Sequence, residues 1–393
     1  MNELSARLNR LAPSATLAMS QKSSELKAQG VDVINLSVGE PDFNTPENIK
    51  KAAIKAVNDN FSHYSPVPGY PVLREAIAGK LKRENGLEYA TSQILCSNGA
   101  KQSVCNVIMS IIQAGDEVII PAPYWVSYPQ MVKLAEGEPV CVSAGIEQDF
   151  KITPAQLEAA ITPHTRALII CSPSNPTGTT IDFNVLDEVC RLAASRGAWR
   201  IVDETYLDLA DREPDGTEVK SVLACDPDAI VCNSFSKFFG MTGWRLGWAI
   251  LPDEPTVLEA VDDLATNYYL CAHTPTQHAA LACFTPESLA ECEARRQELL
   301  ARRRIVIDGL KRIGLPVEVE PNGAFYAYFD ISRTGLDAWT FCERALDEAH
   351  VALTPGRDFG AATADTHVRL SYAASREALT EGLERLGTFV ESL

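Results

Sequence analysis

The sequence predicts an α/β protein: a large domain built on a mostly parallel sheet of the seven-stranded type, with a smaller α+β domain attached. Three observations carry this. Short apolar runs alternate with amphipathic stretches through the middle of the chain. These runs are continuous rather than alternating, which suits strands covered on both faces. After about Pro275 the texture changes to one long charged helix followed by strands and a final amphipathic helix.

The elements follow in order. QILCS reads as a strand and precedes a helical pattern from Lys101 to Gln113. EVIIP and PVCVSA are further strands, the second followed by a helix from Pro154 to Ile161. ALIICS leads through a loop to a helix from Asp182 to Arg196, and WRIVDE and AIVCNS complete the series. Strands bounded by Pro, Gly and Ser and separated by helices indicate βαβ units. Thr285-Pro286-Glu287 is a helix start of cap, proline and acid, and the helix it opens runs to about Ile313. Arg302, Arg303 and Arg304 on that helix read as a solvated face. GAFYAYFDI and HVRLSYA read as strands, and Leu379, Leu383, Leu386 and Val390 form a helical core stripe. The expected organisation is 1–44 as an N-terminal segment packing with the small domain, 45–283 as the large domain, and 284–393 as the small one.

Composition narrows the function. The 393 residues carry a formal net charge of −17, which excludes a broad basic face for nucleic acid and disfavours an anionic membrane. No apolar run approaches a bilayer span. The opening MNELSARLNRL lacks an apolar leader core, and the eleven cysteines contain no C-x-x-C pair, so a reduced, cytoplasmic protein is expected. No metal site is expected, since no histidine pair has ligand spacing. There is no G-x-G-x-x-G after a strand and no G-x-x-x-x-G-K-[ST], so a nucleotide-binding dehydrogenase is remote.

The segment AIVCNSFSKFFGMTGWR is the most informative. A short strand ends in a turn carrying Ser234, Ser236 and Lys237, and Arg245 follows eight residues later. Two hydroxyls and an arginine can hold a phosphate while an amine bonds covalently to the rest of the molecule, which is what pyridoxal phosphate requires. Lys237 must then be able to lose its charge, so burial and the nearby cationic ring should lower its pKa. Three other segments share the C-terminal edge of the sheet, where open α/β sheets bind ligands. In SNGAKQ, Gly99 and Ala100 open a helix that can bind phosphate through its amides; a plain strand-to-helix turn would look the same. In SPSNPTG, Asn175 between two prolines can donate to a ring oxygen or satisfy its own loop. In WRIVDETY, Asp203 can pair with a pyridinium nitrogen or cap a helix, and Tyr206 can reach the ring's phenolic oxygen.

Nine segments in order, from PSATLAM through SVGEPDF, YSPVPGYPVLREAI, SNGAKQ, PYWVSYP, SPSNPTG, VDETY and SFSKFFGMTGWR to HVRLSYA, resemble the fold-type I, class I pyridoxal phosphate-dependent aminotransferases. The similarity is greatest to the bacterial aspartate aminotransferase-like branch and covers nearly the whole chain. It implies the fold-type I transferase architecture and transfer of an amino group from an L-amino acid, aspartate first, to a 2-oxo acid such as 2-oxoglutarate. The resemblance further implies that Trp125 stacks on the cofactor ring and that Gly39 and Arg369 bind the substrate α-carboxylate. It implies that Lys101, helped by Ser14 and Thr16, binds a distal carboxylate. Tyr64 is similar to a tyrosine that reaches the neighbouring subunit's cofactor phosphate, which implies a homodimer. On residues alone, Trp125 also reads as core, Arg369 as a structural salt bridge and Lys101 as a water-facing lysine. NYYLCAHTPTQ departs from the pattern: Tyr268, Tyr269 and His273 are bulkier than the small polar residues that related chains carry there, near the partner's active site, which points away from aspartate toward aromatic, larger or unusual donors. A lyase, oxidase or cyclase on the same scaffold is the alternative reaction.

Overall fold

The computed structural model describes residues 5–393. Among them are twelve strands: β1 (Ile34–Asn35), β2 (Ile94–Ser97), β3 (Glu117–Ala122), β4 (Glu138–Ser143), β5 (Thr165–Cys171), β6 (Trp199–Asp203), β7 (Ile230–Ser234), β8 (Gly247–Ile250), β9 (Tyr326–Asp330), β10 (Val351–Ala352), β11 (Thr354–Pro355) and β12 (His367–Ser371). Seven form one sheet in the order β2-β8-β7-β6-β5-β3-β4. β8 is antiparallel to both neighbours, and the other six run one way. The expected mostly parallel seven-stranded sheet is therefore present. The sequence reading did not single out β8, which lies inside the segment read for its phosphate ligands.

The continuous apolar runs behave as double coverage requires. Leu168, Ile170, Val202 and Val231 pack into a core on one face of the sheet. Their neighbours Ile169, Ile201, Ile230 and Cys232 pack into a second core on the other. Alternate residues of one strand thus serve opposite layers. The helices Ala100–Ile111, Phe183–Ser195 and Pro286–Arg312 match the expected ones to within a residue or two.

The smaller domain is built on β11-β12-β9, with a core that includes Phe325, Phe329, Phe341, Leu370, Leu379, Leu383 and Leu386. β1 pairs in parallel with β10. The helix Ala15–Ala28 is tied to the same region at its start: Asp358 accepts from the amides of Ala15 (2.9 Å) and Thr16 (2.7 Å) and from the hydroxyls of Ser14 (2.8 Å) and Thr16 (2.7 Å).

One expectation is corrected here. The Arg302–Arg304 run is not a solvated face. Arg302 is buried and bonded to Asp42 (2.7 Å) and Glu298 (3.0 Å), and Arg303 makes a two-pronged pair with Asp211. Only Arg304 is exposed. Three successive residues of a helix point in three directions, about 100° apart, so a charged triplet cannot share one face.

Candidate active site

The C-terminal ends of β5, β6 and β7 open into a cavity of about 490 Å³. Asp203 ends β6, Ser234 ends β7 and Cys171 ends β5, and all three line it. The turn after β7 is pinned by two fully buried rings, Phe235 against Trp248 and Phe284, and Phe239 against Phe235 and Phe284. With the aromatics in the core, Ser234, Ser236 and Lys237 are left facing the cavity.

Lys237 donates to the Gly39 carbonyl at 2.7 Å. Burial brings its ammonium down to about 8, and the charges of Arg245 and Arg369 act in the same direction. Asp203 accepts from the Tyr128 hydroxyl (2.7 Å) and the Thr205 amide (3.0 Å). Burial raises its carboxyl; the two hydrogen bonds and the charge of Lys237 oppose that rise. Tyr206 and Tyr326 share a hydroxyl contact of 2.9 Å.

Arg369 enters from β12 and joins three segments. It donates to Asn175 Oδ1 (2.8 Å), to the Ser37 carbonyl (2.8 Å) and to Thr354 Oγ1 (3.2 Å). Its guanidinium lies over the rings of Tyr326 (4.6 Å) and Phe359 (5.1 Å), and its Nε is buried without a partner. Arg245 donates to the carbonyls of Thr242 (2.7 Å) and Asn98 (3.2 Å) from a left-handed backbone with φ 53°. Gly99 makes room for it: at φ 89°, a Cβ there would sit 2.2 Å from Arg245 Nη2. Lys101, on the helix that Gly99 precedes, holds its ammonium 5.0 Å above the Trp125 ring, and burial followed by the charge of Arg245 lowers its pKa.

Lys101, Lys237, Arg245 and Arg369 thus converge on one cavity whose lining contains a single carboxylate, Asp203. None of the four makes an ion pair among the described residues. Arg369 is buried and Lys237 half-buried, while Lys101 and Arg245 stand exposed at the mouth. A buried cation without a counter-ion is costly, and four positive groups around one cavity favour anionic ligands. Two hydroxyls, a helix start and Arg245 form an anion cradle; a near-neutral amine and a buried carboxylate sit beside it. This donor set fits pyridoxal phosphate: phosphate at the cradle, aldehyde at Lys237, ring nitrogen at Asp203.

A profile of the family described as aminotransferase class I and II matches residues 31–386. The chain belongs to this family. Among curated aminotransferases it is 42% identical to an aspartate aminotransferase of Geobacillus stearothermophilus over 99% of each chain, and 40% identical to an aspartate/prephenate aminotransferase of Thermus thermophilus over 98% of each. The solved Thermus thermophilus aspartate aminotransferase with maleate superposes with a TM-score of 0.93 at 40% identity, covering 99% of this chain and 100% of that one. The aminotransferase is therefore pyridoxal phosphate-dependent and transfers amino groups, as the motif order implied.

The cavity gathers Gly39, Ala100, Lys101, Trp125, Asn175, Asp203, Tyr206, Ser234, Ser236, Lys237, Arg245, Arg369 and Thr16. It does not gather Tyr64, which is 82% exposed, nor Ser14, whose hydroxyl is held by Asp358. Tyr268 is exposed, Tyr269 accepts from Asn106 (2.9 Å) and His273 contacts Thr276 (2.8 Å), and none of the three lines this chain's own cavity. Sequence reasoning missed Tyr128, Tyr326 and Phe359, which also line it. Tyr128 had a signal, one helical turn after Trp125 in PYWVSYP. Tyr326 and Phe359 had none, because only the approach of the small sheet to the large one brings them there.

Proposed function

We propose that the aminotransferase takes a dicarboxylic L-amino acid, aspartate first, and passes its amino group to 2-oxoglutarate. The observation that carries this is the four-cation cavity inside a protein of net charge −17. One cation serves the covalent chemistry, one the phosphate, and two remain for the carboxylates of a dicarboxylic substrate. Pyridoxal phosphate supplies the aldehyde carbon and an electron-accepting ring.

The chain's own residues do the rest. Lys237, near 8, has enough neutral amine at pH 7–8 to lift the proton from the substrate α-carbon and return it at the neighbouring carbon. Asp203, steadied by Tyr128 and Thr205, would hold the ring nitrogen protonated. Asn175 and Tyr206 would donate to the phenolic oxygen, and Trp125 would cover the ring. Ser234, Ser236, Arg245 and the amides at Gly99, Ala100 and Lys101 hold the phosphate. Arg369, with Asn175 and Gly39, takes the α-carboxylate two-pronged. The Lys101 ammonium, with Thr16 nearby, takes the distal one.

A homodimer belongs to the same proposal. Tyr64 of a second copy would complete the phosphate site. Ile54, Val57, Tyr64 and Tyr268 are apolar or aromatic and more than 60% exposed, which supports a covered face there. The cytoplasm is the proposed compartment, supported by eleven free cysteines; no helix among the described residues is long and apolar enough to cross a membrane. The division at 44/45 and 283/284 is supported by the β1–β10 pairing and the Asp358 clamp, which attach the N-terminal segment to the smaller domain.

A panel of single amino acids, added without any oxo acid and followed by the cofactor's absorbance, tests the reading. Aspartate and glutamate should convert the bound cofactor stoichiometrically, and sedimentation should give twice 42.8 kDa. Conversion by aromatic donors only would overturn the dicarboxylate assignment. Continuous ammonia release or oxygen uptake would overturn transfer as the physiological reaction.

A further inference from the structure

A second cluster of ligand-type side chains lies on the small sheet, outside the cavity just described. His367 opens β12, two residues before Arg369 and on the same face of the strand. Its ladder partner on β9 is Asp330. Glu318 comes from the segment leading into β9. One ligand atom from each of the three lies within 4.8 Å of the other two. Neither carboxylate makes an ion pair with a lysine or arginine among the described residues. Two acids therefore face each other with no cation between them, and burial followed by the charge of Asp330 raises the Glu318 carboxyl.

The histidine is the independent observation. It is only 8% exposed, with its ring stacked on Tyr328 (centroids 5.0 Å apart) and edge-on to Phe150 (5.7 Å). Nδ1 contacts Thr366 Oγ1 at 2.8 Å, while Nε2 is buried with no hydrogen-bond partner. A buried polar atom left unpaired is costly. One ring nitrogen tied to a neighbour and the other free is how a metal-bound imidazole is held.

We propose that Glu318, Asp330 and His367 form a binding site for a divalent transition-metal ion of the zinc class, with water completing the coordination. One imidazole nitrogen and two carboxylate oxygens are donors such an ion accepts at about 2.0–2.2 Å. At those bond lengths, neighbouring ligands of a tetrahedral centre stand about 3.4 Å apart. The cluster must close from its present span. Glu318 is the member able to move, being exposed and unpaired, while Asp330 and His367 are set by the ladder. The imidazole disfavours magnesium and calcium, which take oxygen ligands in larger number. Occupancy would cross-link β9, β12 and the Glu318 segment. It would also brace Tyr328, the ladder partner of Arg369.

The experiment is calorimetric titration of the cofactor-loaded aminotransferase with zinc chloride. All proteins carry Cys141→Ser, which removes the one exposed thiol. The expected result is one Zn²⁺ per chain, at least ~10-fold weaker binding in His367→Gln and in Glu318→Gln, and no binding of Mg²⁺ over the same range. The melting temperature should rise by roughly 2 °C or more at saturating Zn²⁺, and that rise should be lost in both variants. Glu318→Gln changes an exposed side chain, so it keeps the test decisive should His367→Gln fold poorly. Absence of stoichiometric Zn²⁺ binding, or equal affinity in the parent and both variants, would overturn the site.

Discussion

Two regions of this aminotransferase use the same residue types to opposite ends. Beside the long helix Pro286–Arg312, the buried or half-buried cations are paired: Arg296 with Glu293, Arg302 with Asp42 and Glu298, Arg303 with Asp211, and Lys80 with Asp208. In the cavity at the edge of the large sheet, Lys101, Lys237, Arg245 and Arg369 make no ion pair among the described residues, and Lys237 only feels the charges of Glu40 and Asp203 nearby. The paired set holds the molecule together. The unpaired set leaves positive charge facing the cavity, where the proposed cofactor and substrate would bring anions. A buried cation's role is therefore read from its counter-ion rather than from its own identity.

The sharpest way to break this contrast is at its covalent end. Lys237→Ala should lower turnover by at least ~10³-fold, since it removes both the attachment point and the proton carrier. A coupled assay for the released oxo acid measures this, with bound phosphate counted separately. Turnover near the wild-type value would refute the role.

Next comes an exchange between the two regions. Arg302→Ala should cost about 1–3 kcal/mol of stability by leaving Asp42 without its cation, Glu298 keeping Arg376, with KM unchanged. Arg369→Lys should do the reverse: stability kept, and kcat/KM down about 10²-fold through KM. Denaturant titrations and steady-state kinetics on both variants test the pair. If Arg369→Lys unfolds the protein as readily as Arg302→Ala, the distinction between structural and ligand-facing cations fails.

Glu204, the residue after Asp203, offers a smaller, pH-resolved test. It accepts from the Val222 amide (2.7 Å) and the Ser221 hydroxyl (3.0 Å), and burial raises it to about 7. A carboxyl raised in the folded state binds more protons there than in the unfolded chain. Its contribution is therefore fully present below about 4.5 and is lost as pH rises through 7. Glu204→Gln should remove that decline, gaining about 1–3 kcal/mol relative to wild type between pH 5 and 8. Parallel melting curves across that range would refute the assignment if the two proteins stay offset by a constant amount.

The smallest effect is expected at Lys101. Lys101→Gln should raise KM for aspartate about 10-fold and leave monocarboxylic donors unaffected, because one partly desolvated charge contact is removed. An equal change for both donor classes would make Lys101 a phosphate ligand instead.

How far the site was legible depended on where its parts lie along the chain. Ser234, Ser236, Lys237 and Arg245 stand within a dozen residues on a strand and its turn, so local pattern was enough. Asp203 was legible because a carboxylate ending an apolar strand has few innocent explanations. Tyr326 and Phe359 were not, since their places under Arg369 depend on the pairing of β9 with β12 and on the packing of the turn that follows β11. The Arg302–Arg304 run misled because Asp42 and Asp211 lie 260 and 92 residues from their partners; Glu298, 4 residues from Arg302, was the one local signal. Strand β8 was hidden for a similar reason: four residues of GWAI carry little pattern, and only pairing with β2 and β7 makes them a strand.

By itself the sequence determined the alternation of strands and helices, the edge at which chemistry gathers, and the lysine at its centre, because hydrophobic periodicity and turn chemistry act over a few residues. Tertiary structure alone decided which cations are neutralised and which wait for a ligand, and which side of Arg369 is aromatic. Coulombic pairing and ring contacts depend on distance in space, and partners as far apart along the chain as Asp42 and Arg302 or Asp211 and Arg303 acquire that distance only when the chain folds.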